Sequence, residues 1–254
     1  MVLSGLGLGV VVFLVVFIGS FLQRVSGMGL GLVAGPVLSL ILGPVAGILV
    51  VNVLAVVNAA MTTLTVRKFV DWQKFGLISS VLIIGAIPGA WLIQQLGSGW
   101  LQVLVGAVLL VALGLVSFGS HLLPPVTGRP PAIVAGITGG FMNTLAGVAG
   151  PAITVYAQAA KWEQRSFAAT LQPIFIVSGL VSIIAKVGFI GFAPITATSP
   201  VVWIGGVCAM VGGIFLGVKA DTKIPRTKAR TLAVGLAMAG GATALIRGVL
   251  ALGA

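Results

Sequence analysis

Residues Val25–Pro36 read VSGMGLGLVAGP, and residues Asn143–Pro151 read NTLAGVAGP. Both place closely spaced glycines in apolar sequence and both end in Gly-Pro. A glycine run means different things in water and in hydrocarbon, so the setting decides the fold. As a dinucleotide loop, Gly27, Gly29 and Gly31 lack the preceding strand and the correctly placed third glycine. The chain has 254 residues, 59% hydrophobic and only 7% charged, with three acids, Asp71, Glu163 and Asp221. So few charges cannot cover a soluble surface. Apolar runs of about 18 residues or more recur, each long enough to cross ~30 Å of hydrocarbon. The expected fold is therefore an all-α polytopic membrane protein. A membrane β-barrel would show alternating strands of about 10 residues instead.

The net charge of +11 does not point to nucleic acid. The basic residues lie mostly between apolar runs, as in the cytoplasmic loops of membrane proteins. A lone cysteine, Cys208, excludes a disulfide framework and a multi-thiolate metal site. In its apolar run it reads as a small core residue. His121 is the only histidine, so no histidine metal cluster is expected, nor any cofactor. No basic residue precedes Arg24, so residues 1–23 read as a retained segment rather than a cleaved signal peptide.

An internal repeat is visible in order rather than in identity. Gly35-Pro36 pairs with Gly150-Pro151 at an offset of 115. Asn52, Asn58 and Thr62 pair with Gln172, Ser178 and Ser182 at 120, and PGAWL at Pro88 pairs with GGIFL at Gly212 at 124. The halves are residues 1–119 and 132–254, joined by a proline-rich linker over 120–131, SHLLPPVTGRPP. Each half is read as one broken segment and three spanning helices. These are 5–42 (broken), 45–66, 75–95 and 99–118, then 132–160 (broken), 166–187, 199–218 and 229–248. The total is about 8–10 membrane segments, counted by length.

Equivalent loops carry opposite charge. Loop 43–44 has none, and its partner 161–165 has Lys161 and Arg165. Loop 67–74 has Arg67, Lys68 and Lys74, and its partner 188–198 has none. Loop 94–99 has none, and its partner 219–230 has Lys219, Lys223, Arg226, Lys228 and Arg230. Basic loops stay cytoplasmic, so the halves are expected to be inserted upside down relative to each other, as in secondary transporters. Arg129, Lys161 and Arg165 then place both ends of 132–160 on one side. Its two pieces, roughly 12–13 residues each, are too short for ordinary spans, so a re-entrant hairpin or two short tilted helices fits. Both termini come out extracytoplasmic.

The glycine stretches fall within the broken segments. Irregular backbone at membrane depth survives only against protein or a polar cavity, and its free N–H groups and helix N-termini attract anions. Two such breaks mark the expected binding site. Its candidate residues are Ser26, Gly27, Gly29 and Gly31 at the first break, and Asn143, Thr144 and Gly147 at the second. Asn52 and Gln172 are costly amides to bury. Asn58 with Thr62, and Ser178 with Ser182 and Lys186, form ladders along one helix face. Arg24 adjoins the first break and is the candidate charge. The competing readings are close small-residue packing for the glycines, interhelical bonding for the hydroxyls, and snorkelling for Arg24. Lys186 and Arg247, near helix ends, read as snorkelling anchors. No acid falls at the midplane, which disfavours a cation and suits a small anion.

SGMGLGLVAGPVLSLILGP (Ser26–Pro44) and TLAGVAGPAITVYAQAAKWEQRSFAATLQPIF (Thr144–Phe175) resemble the two glycine-rich segments of the TauE/SafE sulfite exporter family, transporters similar to toluene-sulfonate uptake permeases. The resemblance covers nearly the whole chain. It implies a cell inner-membrane transporter of sulfite or organosulfonates, commonly outward, with a small anion and the lipid bilayer as partners. A related thiosulfate-uptake family relies on cysteines, which Cys208 alone does not support. Ion-coupled uptake of a sulfur-containing or carboxylate anion remains the alternative, and a structural membrane subunit the second. An enzyme is not expected, since His121 and Cys208 have no visible catalytic partners. In a Cys208-free background, single cysteines at Ser98 and Asp221 should label from opposite sides of the membrane. Labelling from the same side would refute the inverted repeat.

Overall fold

The computed structural model describes residues 5–118, 124–220 and 223–253. The first four linker residues (120–123), with His121, and Asp221 lie outside the described residues, as do the outermost residues of both termini. The helices are α1 (Gly5–Ser26), α2 (Leu30–Leu42), α3 (Pro44–Val66), α4 (Trp72–Ser79), α5 (Leu82–Gln95) and α6 (Ser98–Phe118). They continue as α7 (Pro130–Ala146), α8 (Gly150–Ala159), α9 (Gln164–Ile190), α10 (Ala193–Thr196), α11 (Pro200–Ala220) and α12 (Arg226–Leu252). A single 3-10 turn, Arg67–Phe69, follows α3. No strand occurs among the described residues. Seven helical stretches there are long and apolar enough to cross a membrane, with α4 and α5 together making one. The protein is an all-α polytopic membrane protein.

Both broken segments break. The first interruption is Gly27–Gly29 between α1 and α2, and the second is Gly147–Ala149 between α7 and α8. Each opens on a glycine in the left-handed region, Gly27 at φ 87° and Gly147 at φ 72°, where a Cβ would strain the backbone. The pieces of the second segment are unequal, 17 and 10 residues, rather than two similar short helices. At 1.5 Å per residue α8 is about 15 Å long, half the hydrocarbon thickness.

The Gly-Pro pairing does not survive. Pro36 lies inside α2, whereas Pro151 occupies the first turn of α8, where its missing N–H costs nothing. The matching boundaries instead share one spacing. α1 and α7 end at Ser26 and Ala146, α2 and α8 begin at Leu30 and Gly150, and α3 and α9 begin at Pro44 and Gln164. Each pair is 120 residues apart, as are Gly27 and Gly147.

Packing follows small-residue seams, as expected where lipid removes any hydrophobic drive between helices. α1 lies chiefly against α11, α5 against α7, α6 against α12 and α3 against α9. A Cβ at Gly85 or Gly140 would strike backbone across the α5–α7 seam, and one at Gly213 would strike Phe17 across the α1–α11 seam. Cys208 is exposed on α11 and is not a core residue. Core and lipid are equally apolar, so its run could not tell which face it took. Arg247 is exposed, as a snorkelling residue should be. Lys186 is not exposed at all, and it cannot be a snorkelling anchor.

The basic segments converge at one end. The Arg165 guanidinium stacks over Phe69 at 3.6 Å, Lys74 lies 4.5 Å from the Trp162 ring, and the Asp71 N–H donates to Thr170 Oγ1 at 2.8 Å. At the opposite end, Gln94 Nε2 donates to the Phe189 carbonyl (3.2 Å), and the apolar cluster of Ile93, Leu101 and Leu145 gathers Val45, Leu96 and Ile190.

Two glycines separate the costs involved. Gly43 has φ 85° with open space around it, whereas a Cβ on Gly31 would overlap the Gly147 carbonyl oxygen. Gly43→Ala should cost about 1–2 kcal/mol from backbone conformation alone. Gly31→Ala should lower the Tm of purified protein further, because it forces the two breaks apart.

Candidate functional site

Two cavities lie along the breaks. A vestibule of about 200 Å³ opens at the basic end and is lined by Arg24, Ser26, Gly27, Thr62, Thr65, Phe69, Arg165, Gln172 and Arg226. Deeper, a chamber of about 30 Å³ lies between the breaks, lined by Met28, Gly29, Gly31, Asn52, Asn143, Gly147, Val148, Gly150 and Phe175. It is the size of a water site or two. Gln23 lines both cavities. Of the candidate residues, Gly29, Gly31, Asn52, Asn143 and Gly147 meet at the chamber, and Arg24, Ser26, Gly27 and Gln172 at the vestibule. Asn58, Thr144 and Ser178 line neither.

Two glutamines divide vestibule from chamber. Gln23 is 2% exposed and Gln172 is 1% exposed. Gln23 Nε2 donates to Gln172 Oε1 (3.4 Å), and Gln172 Nε2 donates to the Gly27 carbonyl (3.0 Å). The Leu30 N–H donates to Gln23 Oε1 (3.1 Å). The pair thus satisfies a donor at the start of α2 and an acceptor after α1, groups that helix ends leave orphaned. Ser26 Oγ lies 2.8 Å from the Leu22 carbonyl and 2.7 Å from that of Met28. Its one proton serves one of them at a time.

Gln23 was missed by sequence reasoning. The signal was present: the spacing of 120 that joins Asn52 to Gln172 also joins Gln23 to Asn143. At the second break, the Gly147 N–H donates to the Asn143 carbonyl (2.8 Å) and Asn143 Nδ2 to the Ser178 carbonyl (3.1 Å). Asn52 Nδ2 donates to Ser182 Oγ (2.7 Å), which also accepts from Lys186 Nζ (3.2 Å).

The first turns of α2 and α8 both abut the chamber. A helix N-terminus carries partial positive charge and free N–H groups, which favour an anion. Three arginines line the vestibule, and no carboxylate lines either cavity. Asp71 and Glu163 serve as helix caps. The N–H groups of Ser166 and Arg165 donate to the Glu163 carboxylate (2.6 and 2.7 Å) and hold its pKa below the ordinary range. Partial burial alone would raise the Asp71 pKa, but the bonds from Lys74 outweigh it and leave it lowered.

Several buried polar atoms have no protein partner: Asn52 Oδ1, both amide atoms of Asn58, and Ser178 Oγ. These four belong to α3 and α9, which pack against each other, and others lie on other helices, among them Ser20 Oγ, Ser39 Oγ and Gln158 Oε1. Leaving such a group unpaired costs about 1–3 kcal/mol, whereas replacing it with an apolar group of like shape is near neutral. Asn58→Leu should therefore leave the Tm unchanged or raise it. Gln172→Leu, which strips the Gly27 carbonyl and Gln23 of partners, should lower stability by about 1–3 kcal/mol. Thermal unfolding in detergent measures both.

The chain matches the family model described as sulfite exporter TauE/SafE over residues 12–244. No curated protein and no solved structure matches it. The match spans both breaks, the vestibule and the chamber, and the chain belongs to the sulfite exporter TauE/SafE family of membrane transporters.

Proposed function

We propose that the protein exports sulfite or a small organosulfonate anion across the cell inner membrane, driven by the membrane potential. The observation that carries this reading is the arginine-lined vestibule ending at the Gln23–Gln172 pair, with two helix N-termini just beyond it. Positive-inside bias makes the basic end cytoplasmic. Arg24, Arg165 and Arg226 raise the local concentration of anions, and the chamber's N–H groups and amides replace part of the lost hydration. Parting of the glutamines admits the anion, and parting of the apolar cluster at the other end releases it.

An inverted repeat supplies the two gates. The spacing of 120 residues shared by the boundaries from the ends of α1 and α7 to the starts of α3 and α9 supports it, and so does the packing pattern. Under that equivalence α1 against α11 becomes α7 against α5, while α3–α9 and α6–α12 each map onto themselves. Rocking one half against the other would then exchange the gates.

An interior-negative potential drives anions outward by ~2.3 kcal/mol per charge per 100 mV. Export therefore needs no coupling carboxylate, consistent with the capping roles of Asp71 and Glu163. In proteoliposomes, a potassium-valinomycin potential negative on the side holding sulfite or methanesulfonate should accelerate its exit. Arg24→Gln should weaken apparent affinity at least about tenfold, or 1.4 kcal/mol. Flux that ignores voltage but collapses without a proton or sodium gradient would replace this reading with ion-coupled uptake.

A further inference from the structure

Lys186 lies on α9, 14 residues beyond Gln172, which places it about 21 Å further from the basic end. Its side chain is 0% exposed, and its Nζ donates to Ser182 Oγ at 3.2 Å. Ser182 Oγ also accepts from Asn52 Nδ2, and Asn52 lines the chamber. A polar relay therefore runs from the chamber to a buried amine.

Among the described residues that amine has no protein counter-charge. α9 packs against α3, α5 and α7 along this half, and none of the three carries an ionisable side chain. The titratable groups on its other neighbours, Arg67, Lys68, Lys74 and Tyr156, belong to the basic-end turn, α4 and α8. A buried ammonium without an opposite charge is costly, and a methionine of similar length would fill the site without that cost. Lysine here gives up stability. The carbonyl oxygen of Asn52 and the hydroxyl of Ser178, both buried and without protein partners, lie along the same seam.

We propose that Lys186 is an anion-binding residue on the exit side of the chamber, whose missing counter-charge is the transported oxyanion itself. Ser182 and Asn52 position its ammonium toward the chamber. The anion then meets positive charge twice, at the vestibule arginines and at Lys186, with the Gln23–Gln172 pair between them. A single strong site would trap the ion, and two weaker ones let it pass on. This rests on the transport reading above.

Purified wild type, Lys186→Met and Lys186→Arg are compared for thermal stability and for binding of sulfite and methanesulfonate. The expected result has three parts. Without anion, Lys186→Met melts above the wild type. Its affinity for the anion that the wild type binds falls at least about tenfold. Lys186→Arg keeps most of that affinity. Equal affinity in wild type and Lys186→Met overturns the assignment and leaves the transport reading standing. A Lys186→Met chain that fails to fold also overturns it, because the amine would then have a protein role. A wild type that binds neither anion overturns the transport reading on which it rests.

Discussion

Inside hydrocarbon every backbone N–H and C=O must find a partner within the protein. Within its helices the chain meets that condition by itself, and at its two breaks it cannot. What surrounds Gly27–Gly29 and Gly147–Ala149 is therefore not free to vary. The first break is held by Gln23 and Gln172, which bond its Leu30 N–H and Gly27 carbonyl. The second is held by Asn143, whose carbonyl takes the Gly147 N–H while its amide reaches α9. The polar groups that solve the backbone problem are also ones that line the vestibule and the chamber. Under the proposed export, the structural and transport roles of these groups come from one constraint.

Much of the helix plan was legible because the membrane simplifies the code. Apolar length gave the spanning helices, and glycine clusters gave the breaks, since hydrocarbon permits irregular backbone only with reason. Facing was not legible. In water a buried lysine and an exposed cysteine would contradict their surroundings. Here lipid and core are both apolar, so nothing in the runs around Cys208 or Lys186 said which side was which. The Gly-Pro pairing misled for a similar reason. Proline is tolerated inside α2 and also fits the first turn of α8, so the dipeptide carries no unique register. Polar residues register better: Asn52 with Gln172 points directly to Gln23 with Asn143. Sequence reasoning stopped one step short of that pairing.

The economy of charge fits the same picture. Carboxylates at depth are common ligands in cation and proton carriers, and here Asp71 and Glu163 cap helices near the basic end. Positive groups, by contrast, are graded along the axis. Arginines line the vestibule, backbone dipoles converge on the chamber, and an amine lies beyond. On the proposed reading, that grading suits an ion that must leave as readily as it enters.

The two amide pairs related by the spacing of 120 residues differ by one methylene per side chain, and their contacts differ too. Gln23 and Gln172 are long enough to reach each other across the seam, so that end of the chamber is closed by hydrogen bonds. Asn52 and Asn143 are shorter and turn instead to Ser182 and Ser178, so the other end relies on apolar contacts among Ile93, Leu101 and Leu145. A hydrogen-bonded gate can exchange its partners for the oxygens of a passing anion. An apolar gate offers no such exchange and opens only when its helices separate. If the halves are related by an inverted repeat, this asymmetry makes the two conformations unequal in energy. On the proposed export reading, the basic-end pair would yield to the ligand, and the far cluster to movement of the halves.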